Sequence, residues 1–203
     1  MTYFSTARLD VRRFTVADIA GFTAYRADPA VARYQSWDDF THAQGEALVE
    51  SMRHLELGTP GEWFQLALED RARGVLVGDL ACQVNALEPR EMEIGFTLAR
   101  DEQGRGYATE AVVALLDHAF TTRRLHRVVA VTDARNTAAA ALLTRLGMRQ
   151  EAHFVDNVLF KTRLGQRAAL RQARTRAPPC ASPGRPRLIN HPAPPSLLPG
   201  GTT

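Results

Sequence analysis

Three strand-like segments follow one another in the middle of the sequence and precede alternating helices and strands. Residues 62–70, 75–84 and 91–99 are the three strand-like segments, and short turns join them. Apolar spacing predicts helices over 108–122 and 137–147, each followed by another strand-like segment. Consecutive hairpin strands and later strand–helix–strand crossovers predict a mixed, mostly antiparallel sheet with helices on both faces. We therefore expect a single-domain α/β fold.

The first 60 residues are predicted to supply one strand and the helices that cover the sheet. Residues 7–13 alternate apolar and charged side chains, as a half-buried strand does. Helices are predicted from about Asp18, after Pro29 and over 41–56, whereas 34–40 is predicted to be a loop.

Charge divides the chain into two parts. Residues 1–160 contain 17 arginines and all 22 acidic residues, whereas 161–203 contain eight basic residues, no acid and eight of the 11 prolines. The folded part is thus mildly acidic, and the sequence pI of about 9.2 reflects the tail. We expect a folded domain over 1–160 and a basic, disordered tail over 161–203, within which the arginine-rich first part could form a helix.

The composition of the tail also suggests an origin for it. Acid-free sequence rich in arginine and proline is typical of out-of-frame reading of a GC-rich gene. Residues 162–167 (TRLGQR), read one base later, can encode RAWGSE. The hypothesis is a frameshift near residue 161, with loss of the final strand and an exposed sheet edge. The coding DNA tests it directly.

Several classes of protein are not expected from this sequence. No apolar run approaches the roughly 20 residues of a membrane helix, and the N-terminus lacks the pattern of a secretion signal. We expect a cytoplasmic protein without membrane contact. Cys82 and Cys180 do not form a disulfide or metal-site pattern, so no metal is predicted. Nucleic acid is not the expected partner, because the basic charge lies in the tail.

A glycine loop lies between the third central strand and the next helix. Gly104 and Gly106 flank Arg105 in the segment DEQGRGYATEAV. Glycine lets backbone N–H groups converge, and the first N–H groups of a helix have no intrahelical partner, so the loop suits a phosphate. It lacks the lysine of the nucleotide P-loop and the third glycine of the dinucleotide fingerprint. A simple turn and an anion cradle remain open on this evidence alone.

The sequence pattern around the loop is similar to that of a known family. QGRGYA (103–108) resembles the Q/R-x-x-G-x-G/A signature with which GCN5-related N-acetyltransferases (GNAT) hold the pyrophosphate of acetyl-coenzyme A. EIGFTLA before it and VTDARNTAAAALLTRLGM after it resemble the flanking elements of that family, and the resemblance covers roughly residues 5–160. GYATEA and NTA…LGM are most similar to the branch that acetylates ribosomal-protein N-termini.

The resemblance implies a GNAT-like fold and a set of cofactor-binding residues. These are the loop residues Gln103, Gly104, Arg105, Gly106, Tyr107 and Ala108, the backbone near Phe96–Leu98 as oxyanion donor, and Asn136 as a contact to the pantetheine or phosphate arm. Asn136 also suits a helix N-cap, and both roles can hold together.

Catalytic and acceptor residues are less clearly marked. Glu93 is a candidate base for the attacking amine, or one of several exposed carboxylates. Trp37 is a candidate acceptor contact, or a core residue. The family tyrosine that protonates the leaving thiolate is replaced by Leu143, and a serine common in the ribosomal branch by Ala139, so the general acid is unassigned.

The resulting hypothesis is an N-acetyltransferase that moves an acetyl group from acetyl-coenzyme A to a primary amine, such as a protein N-terminal α-amine. A small amine, such as an antibiotic or polyamine, is the alternative acceptor. A non-catalytic acetyl-coenzyme A binder is the alternative class. The sequence leaves the acceptor and the choice between monomer and homodimer open.

Overall fold

The computed structural model describes residues 1–160 and 163–173. In this part the chain forms eight strands and five α-helices. In chain order they are β1 Thr2–Ser5, β2 Leu9–Arg13, α1 Ile19–Ala27, α2 Pro29–Ala32, α3 His42–Ser51, β3 Trp63–Asp70, β4 Val75–Val84, β5 Glu91–Leu98, α4 Tyr107–Asp117, β6 Arg127–Asp133, α5 Thr137–Arg145, β7 Arg149–Phe160 and β8 Arg163–Ala173.

One eight-stranded sheet organises the described chain, in the order β1-β2-β3-β4-β5-β6-β8-β7. Every neighbouring pair is antiparallel except β5 and β6, which run parallel. This confirms the predicted mixed, mostly antiparallel sheet of an α/β domain. Strand β1 was not predicted, and α3 ends at Ser51, five residues earlier than expected.

The structure differs from the sequence prediction at the start of the basic tail. Residues 163–173 form β8, which pairs with both β6 and β7. Ala168 and Leu170 are buried on one side of this strand, whereas Arg171 belongs to the other. Arg163, Arg167 and Arg171 recur at every fourth residue, a spacing that also suits one face of a helix, so the sequence did not distinguish this strand from a basic helix. The expected open edge beside β6 is therefore covered, and 161–162 and 174–203 lie outside the described residues.

The two central strands that run parallel separate part of the way along their length. Their ladder ends at the pair Ile94 and Ala130. Beyond that point β5 continues to Leu98 beside β4, and β6 continues to Asp133 beside β8. A gap therefore opens in the middle of the sheet, and the loop that leads into α4 lies next to it.

Candidate active site

A cleft of about 490 Å³ occupies the gap between β5 and β6. Its walls come from the end of β5, the loop before α4, the segment around α2, and α5. Most of the residues predicted to bind a cofactor line this cleft, namely Phe96, Leu98, Gln103, Gly104, Gly106, Ala108 and Asn136. The fold thus brings Asn136, from a more distant part of the sequence, to the strand end and the glycine loop.

The backbone of the glycine loop is shaped to receive an anion. Gly104 and Gly106 have φ values of 75° and 85°, a region that favours glycine. A Cβ added at Gly104 would meet no heavy atom within 4 Å, so the space above it is open. The N–H groups of residues 104–109 find no acceptor in the described part of the chain. Together with the partial positive charge of the α4 N-terminus, they can bind a diphosphate.

The side chain of Tyr107 does not face the cleft. It is buried, its hydroxyl donates a hydrogen bond to Asp70, and the Arg8 guanidinium lies 4.4 Å from its ring centroid. Tyr107 therefore offers only its N–H to a cofactor. The side chain of Arg105 is about half exposed and lies 3.3 Å from Glu102, and its carbonyl accepts a hydrogen bond from Arg8.

A network of charged side chains links the glycine loop to the turn after β3. Arg73 donates to both Glu102 oxygens at 2.8 Å and also contacts Asp70. The hydrogen bond from Tyr107 is the main cause that lowers the pKa of Asp70 to about 2, and hydrogen bonds from the backbone and side chain of Arg73 add to it. The network joins the turn after β3 to both ends of the loop.

Replacing Tyr107 with phenylalanine is expected to weaken this support. A carboxyl group with a lowered pKa stabilises the fold above its unfolded-state pKa, and this stabilisation is lost as the pH falls toward 2. Without the Tyr107 hydroxyl, the pKa of Asp70 rises and acid unfolding begins at a higher pH, with a few-fold loss of acetyl-coenzyme A affinity. Circular dichroism against pH measures the first effect. An acid transition identical to that of the parent protein would contradict it.

Asn136 caps α5 at the edge of the cleft. Its Oδ1 accepts a hydrogen bond of 3.1 Å from the amide of Ala139. The predicted N-cap is confirmed. Because Asn136 also lines the cleft, its amide group lies where a cofactor arm would pass, and that contact remains a prediction.

The end of β5 directs two amide groups into the gap. The Ala99 amide donates to the Val77 carbonyl on β4 at 3.0 Å. Since successive residues of a strand point to alternate sides, the N–H groups of Phe96 and Leu98 point away from β4, where β6 no longer pairs. The Leu98 carbonyl accepts a hydrogen bond of 3.2 Å from Gln103, which ties the loop to the strand.

Glu93 lies just before the gap and does not itself line the cleft. It is half-buried on β5, between Gln83 on β4 and Val129 on β6. Burial raises the pKa of its carboxyl, and the charge of Arg167 opposes this shift. In the described chain, Glu93 makes no hydrogen bond and no ion pair.

Trp37 is partly buried and packs against the core, and it is not among the residues that line the cleft. Its Nε1 donates to the Arg26 carbonyl at 3.2 Å, and the Arg26 guanidinium lies 4.1 Å from its ring centroid. Its partner in edge contact is Phe40. The packing accounts for Trp37 as a core residue, which was the alternative interpretation of this tryptophan.

Sequence reasoning missed several polar residues of the cleft, including Thr109, Arg145 and two residues near α2. Tyr34 and Gln35 line it from the segment after α2, and Gln35 lies 3.4 Å from the Thr97 hydroxyl. They belong to a loop without periodicity, so no local pattern marked them. Leu143, at the position of the family tyrosine, is buried at 1% exposure. A tyrosine hydroxyl at the cleft is instead available from Tyr34, which lines it.

The described ranges contain neither a group of three or more His, Cys, Asp or Glu side chains suited to a metal ion nor a helix long and apolar enough to cross a membrane. The N–H groups of the glycine loop that have no acceptor in the described chain are the clearest ligand-binding feature of the cleft, and their arrangement suits the diphosphate of a nucleotide-like molecule.

Residues 8–149 match the model of the acetyltransferase (GNAT) domain, and the chain belongs to this family of N-acetyltransferases. It is 29% identical over 160 residues to the uncharacterized N-acetyltransferase p20 of Bacillus licheniformis, covering 78% of this chain and 89% of p20.

Two solved structures from Vibrio cholerae share the fold. A putative ribosomal-protein-serine acetyltransferase superposes with a TM-score of 0.72 at 21% identity, covering 86% of this chain and all of that one. Spermidine N-acetyltransferase in complex with CoA and spermine superposes with a TM-score of 0.71 at 20% identity, covering 82% and 96%. GNAT acetyltransferases use acetyl-coenzyme A as the donor, and the residues of the cleft fit its diphosphate.

Proposed function

We propose that this acetyltransferase acetylates the α-amine of a protein or peptide N-terminus. The observation that carries the proposal is the charge of the sheet face beside the gap. Glu93 has no ion-pair partner in the described chain, whereas its neighbour Glu91 lies 2.7 Å from Arg127. Arg127 also contacts Glu151 at 2.8 Å. Among the described side chains of this face, Glu93 is a carboxylate without an ion-pair partner, although the charge of Arg167 also acts on it, and this suits an acceptor with one reactive cationic amine.

The polyamine alternative is less well matched by these charges. A polyamine carries several cationic amines, and each needs a carboxylate or comparable acceptor when it leaves water. Next to the gap, Glu91 is engaged by arginine, as is Asp133, which lies 2.6 Å from Arg135. The two structural neighbours include one protein of each kind, and identities of 20–21% indicate only the shared fold.

The proposed reaction is a direct attack of the amine on the thioester carbonyl. Loop amides hold the diphosphate, and the Phe96 N–H stabilises the negative oxygen that forms. Glu93 takes a proton from the amine, whose pKa of about 8 makes the transfer easy near neutral pH. As the carbon–sulfur bond breaks, the thiolate takes a proton from Tyr34 or from water, because Leu143 cannot supply one. Comparing Tyr34→Phe with the parent protein separates these two sources.

Release of free thiol from acetyl-coenzyme A tests the function. Peptides with a free N-terminus should give turnover, the same peptides with a blocked N-terminus should not, and spermidine should be a poorer acceptor. A preference for spermidine would replace this proposal with the polyamine alternative. Thermal stabilisation by acetyl-coenzyme A without turnover of any amine would identify a non-catalytic binder.

Replacing Glu93 with glutamine is expected to lower kcat/KM about 100-fold at pH 7, the lower end of general-base effects, because an α-amine needs little help. The loss should shrink above pH 8, where the free amine dominates.

The same substitution also tests the stability of the fold. Burial raises the pKa of Glu93, so its ionised form is disfavoured in the fold. The free energy of unfolding therefore falls as the pH rises from the unfolded-state pKa of this carboxyl through its folded-state pKa. Glutamine removes this penalty, so the melting temperature at pH 7 should hold or rise.

The matched control for this variant is Glu91→Gln. Glu91 lies on the same strand as Glu93, but its carboxylate is paired with Arg127. The control substitution should affect kcat/KM much less. A loss in Glu93→Gln that is equal at every pH, or that accompanies a lower melting temperature, would argue against a role as base.

A further inference from the structure

Helix α1 covers only part of the sheet face on which it packs. Beneath it, Asp79 and Thr97 are 1% and 6% exposed, and Asp79 contacts Tyr25 and Arg26 of the helix. Toward the beginning of β5, the side chains of the same face are half-buried or exposed. This uncovered strip lies beside the point where β5 and β6 separate.

The uncovered strip consists of two rows of direct cross-strand partners on β3, β4 and β5. The rows are Gln65–Ala81–Gly95 and Trp63–Gln83–Glu93. Because alanine has a small side chain and glycine none, the first row is low at Ala81 and Gly95, and the larger side chains of the second row stand beside it as one wall of a shallow groove. The groove ends at Gly95, one residue beyond the last β5–β6 pair, so it opens at the gap in which the proposed reaction places the thioester.

The wall of the groove combines an apolar end with a charged end. Trp63 is 42% exposed, although it is one of the largest apolar side chains of the sheet. Between it and Glu93, the Gln83 amide donates to the Gly61 carbonyl at 2.8 Å and is thereby held. Direct partners have Cβ atoms about 5 Å apart, so the Cβ atoms of Trp63 and Glu93 are roughly 10 Å apart. One amino-acid side chain that lies over Gln83 can span that interval.

We propose that Trp63 is a specificity-determining residue that selects acceptors whose reactive amine lies next to an apolar side chain. With the amine at Glu93, the side chain of the first residue extends along the wall and covers the exposed indole, which removes apolar surface of both from water. An acidic first residue is disfavoured by the charge of Glu93. This inference rests on the proposed function, since it assumes an N-terminal amine as acceptor.

The test uses the full chain, acetyl-coenzyme A and peptides that differ only in their first residue: leucine, phenylalanine, serine or aspartate. We expect kcat/KM for leucine and phenylalanine to exceed that for serine about tenfold, a ratio typical of apolar contacts in a binding pocket. Aspartate should be poorer still. In Trp63→Ala, the leucine and phenylalanine peptides should lose this advantage while the serine peptide and the affinity for acetyl-coenzyme A change little. Trp63→Phe should retain most of it.

Leu87→Ala is the control, because Leu87 is also apolar, is 96% exposed and lies in the β4–β5 turn. It should not change the ranking of the peptides. Equal rates for the leucine and serine peptides in the parent protein, or a uniform loss for all peptides in Trp63→Ala, would overturn the role of Trp63 and leave the acetylation of N-termini intact. Failure of every peptide would overturn the proposed function and the inference together.

Discussion

Replacing Ala108 with glutamate is expected to abolish useful binding of acetyl-coenzyme A while the protein remains folded. Ala108 lies in the first turn of α4 and lines the cleft, beside N–H groups that have no acceptor in the described chain. A carboxylate there competes for these groups and repels the diphosphate. Two like charges 4 Å apart repel by about 4 kcal/mol at an effective dielectric constant of 20, which corresponds to roughly a 1,000-fold loss of affinity.

The same substitution should not destabilise the fold. An acidic side chain in the first turn of a helix is favourable by about 0.3–1 kcal/mol, because it faces the positive end of the helix dipole. Isothermal titration calorimetry with acetyl-coenzyme A measures the affinity, and thermal unfolding measures the stability. We expect a large loss in the first and an unchanged or higher value in the second.

Two controls make the Ala108 experiment specific. Val113→Glu adds the same charge to the same helix at a position 48% exposed, and it should bind acetyl-coenzyme A normally. Ala108→Gln adds the same bulk without charge and should lose less affinity than the glutamate variant. An affinity of Ala108→Glu within tenfold of the parent value would show that the loop amides do not hold the diphosphate.

Replacing Asp79 with asparagine is expected to cost about 3–5 kcal/mol of unfolding free energy, as is usual when one partner of a buried ion pair is removed. Asp79 lies 2.9 Å from the Arg26 guanidinium and accepts a hydrogen bond of 2.6 Å from the Tyr25 hydroxyl. Arg26 is 4% exposed and lies against the rings of Phe22 and Trp37. Without Asp79, its charge stays buried and unpaired. Chemical denaturation measures the loss.

A surface pair serves as the reference for this prediction. Asp10 lies 3.6 Å from Arg71, and both side chains are partly exposed. Asp10→Asn should therefore lower the unfolding free energy by less than about 1 kcal/mol. Removing both buried charges together, as Arg26→Met with Asp79→Leu, should recover much of the stability lost in Asp79→Asn. A loss below 1 kcal/mol in Asp79→Asn would mean that the ion pair does not anchor α1 to the sheet.

The cofactor side of the site was largely predictable because its residues are neighbours in sequence. Gly104, Gly106 and Ala108 lie within five positions, at a strand-to-helix junction whose geometry follows from local rules. The Asn136 cap follows from the same kind of rule. The acceptor side was not predictable in this way. Trp37 was predicted to be either an acceptor contact or a core residue, and the proposed role of Trp63 depends on the register of three strands.

Local periodicity determined from the sequence alone that this chain forms three hairpin strands, then alternating helices and strands, with a glycine loop at the entrance to a helix. Periodicity states which side chains share a face of their own element, but not which side chains they meet on another. Only the tertiary structure decided that β8 fills the place beside β6, that the Tyr107 hydroxyl reaches Asp70 rather than the cleft, and that Trp63 and Glu93 stand in one row. These contacts join residues 30 or more positions apart, so they depend on strand register and helix packing, which no short segment specifies.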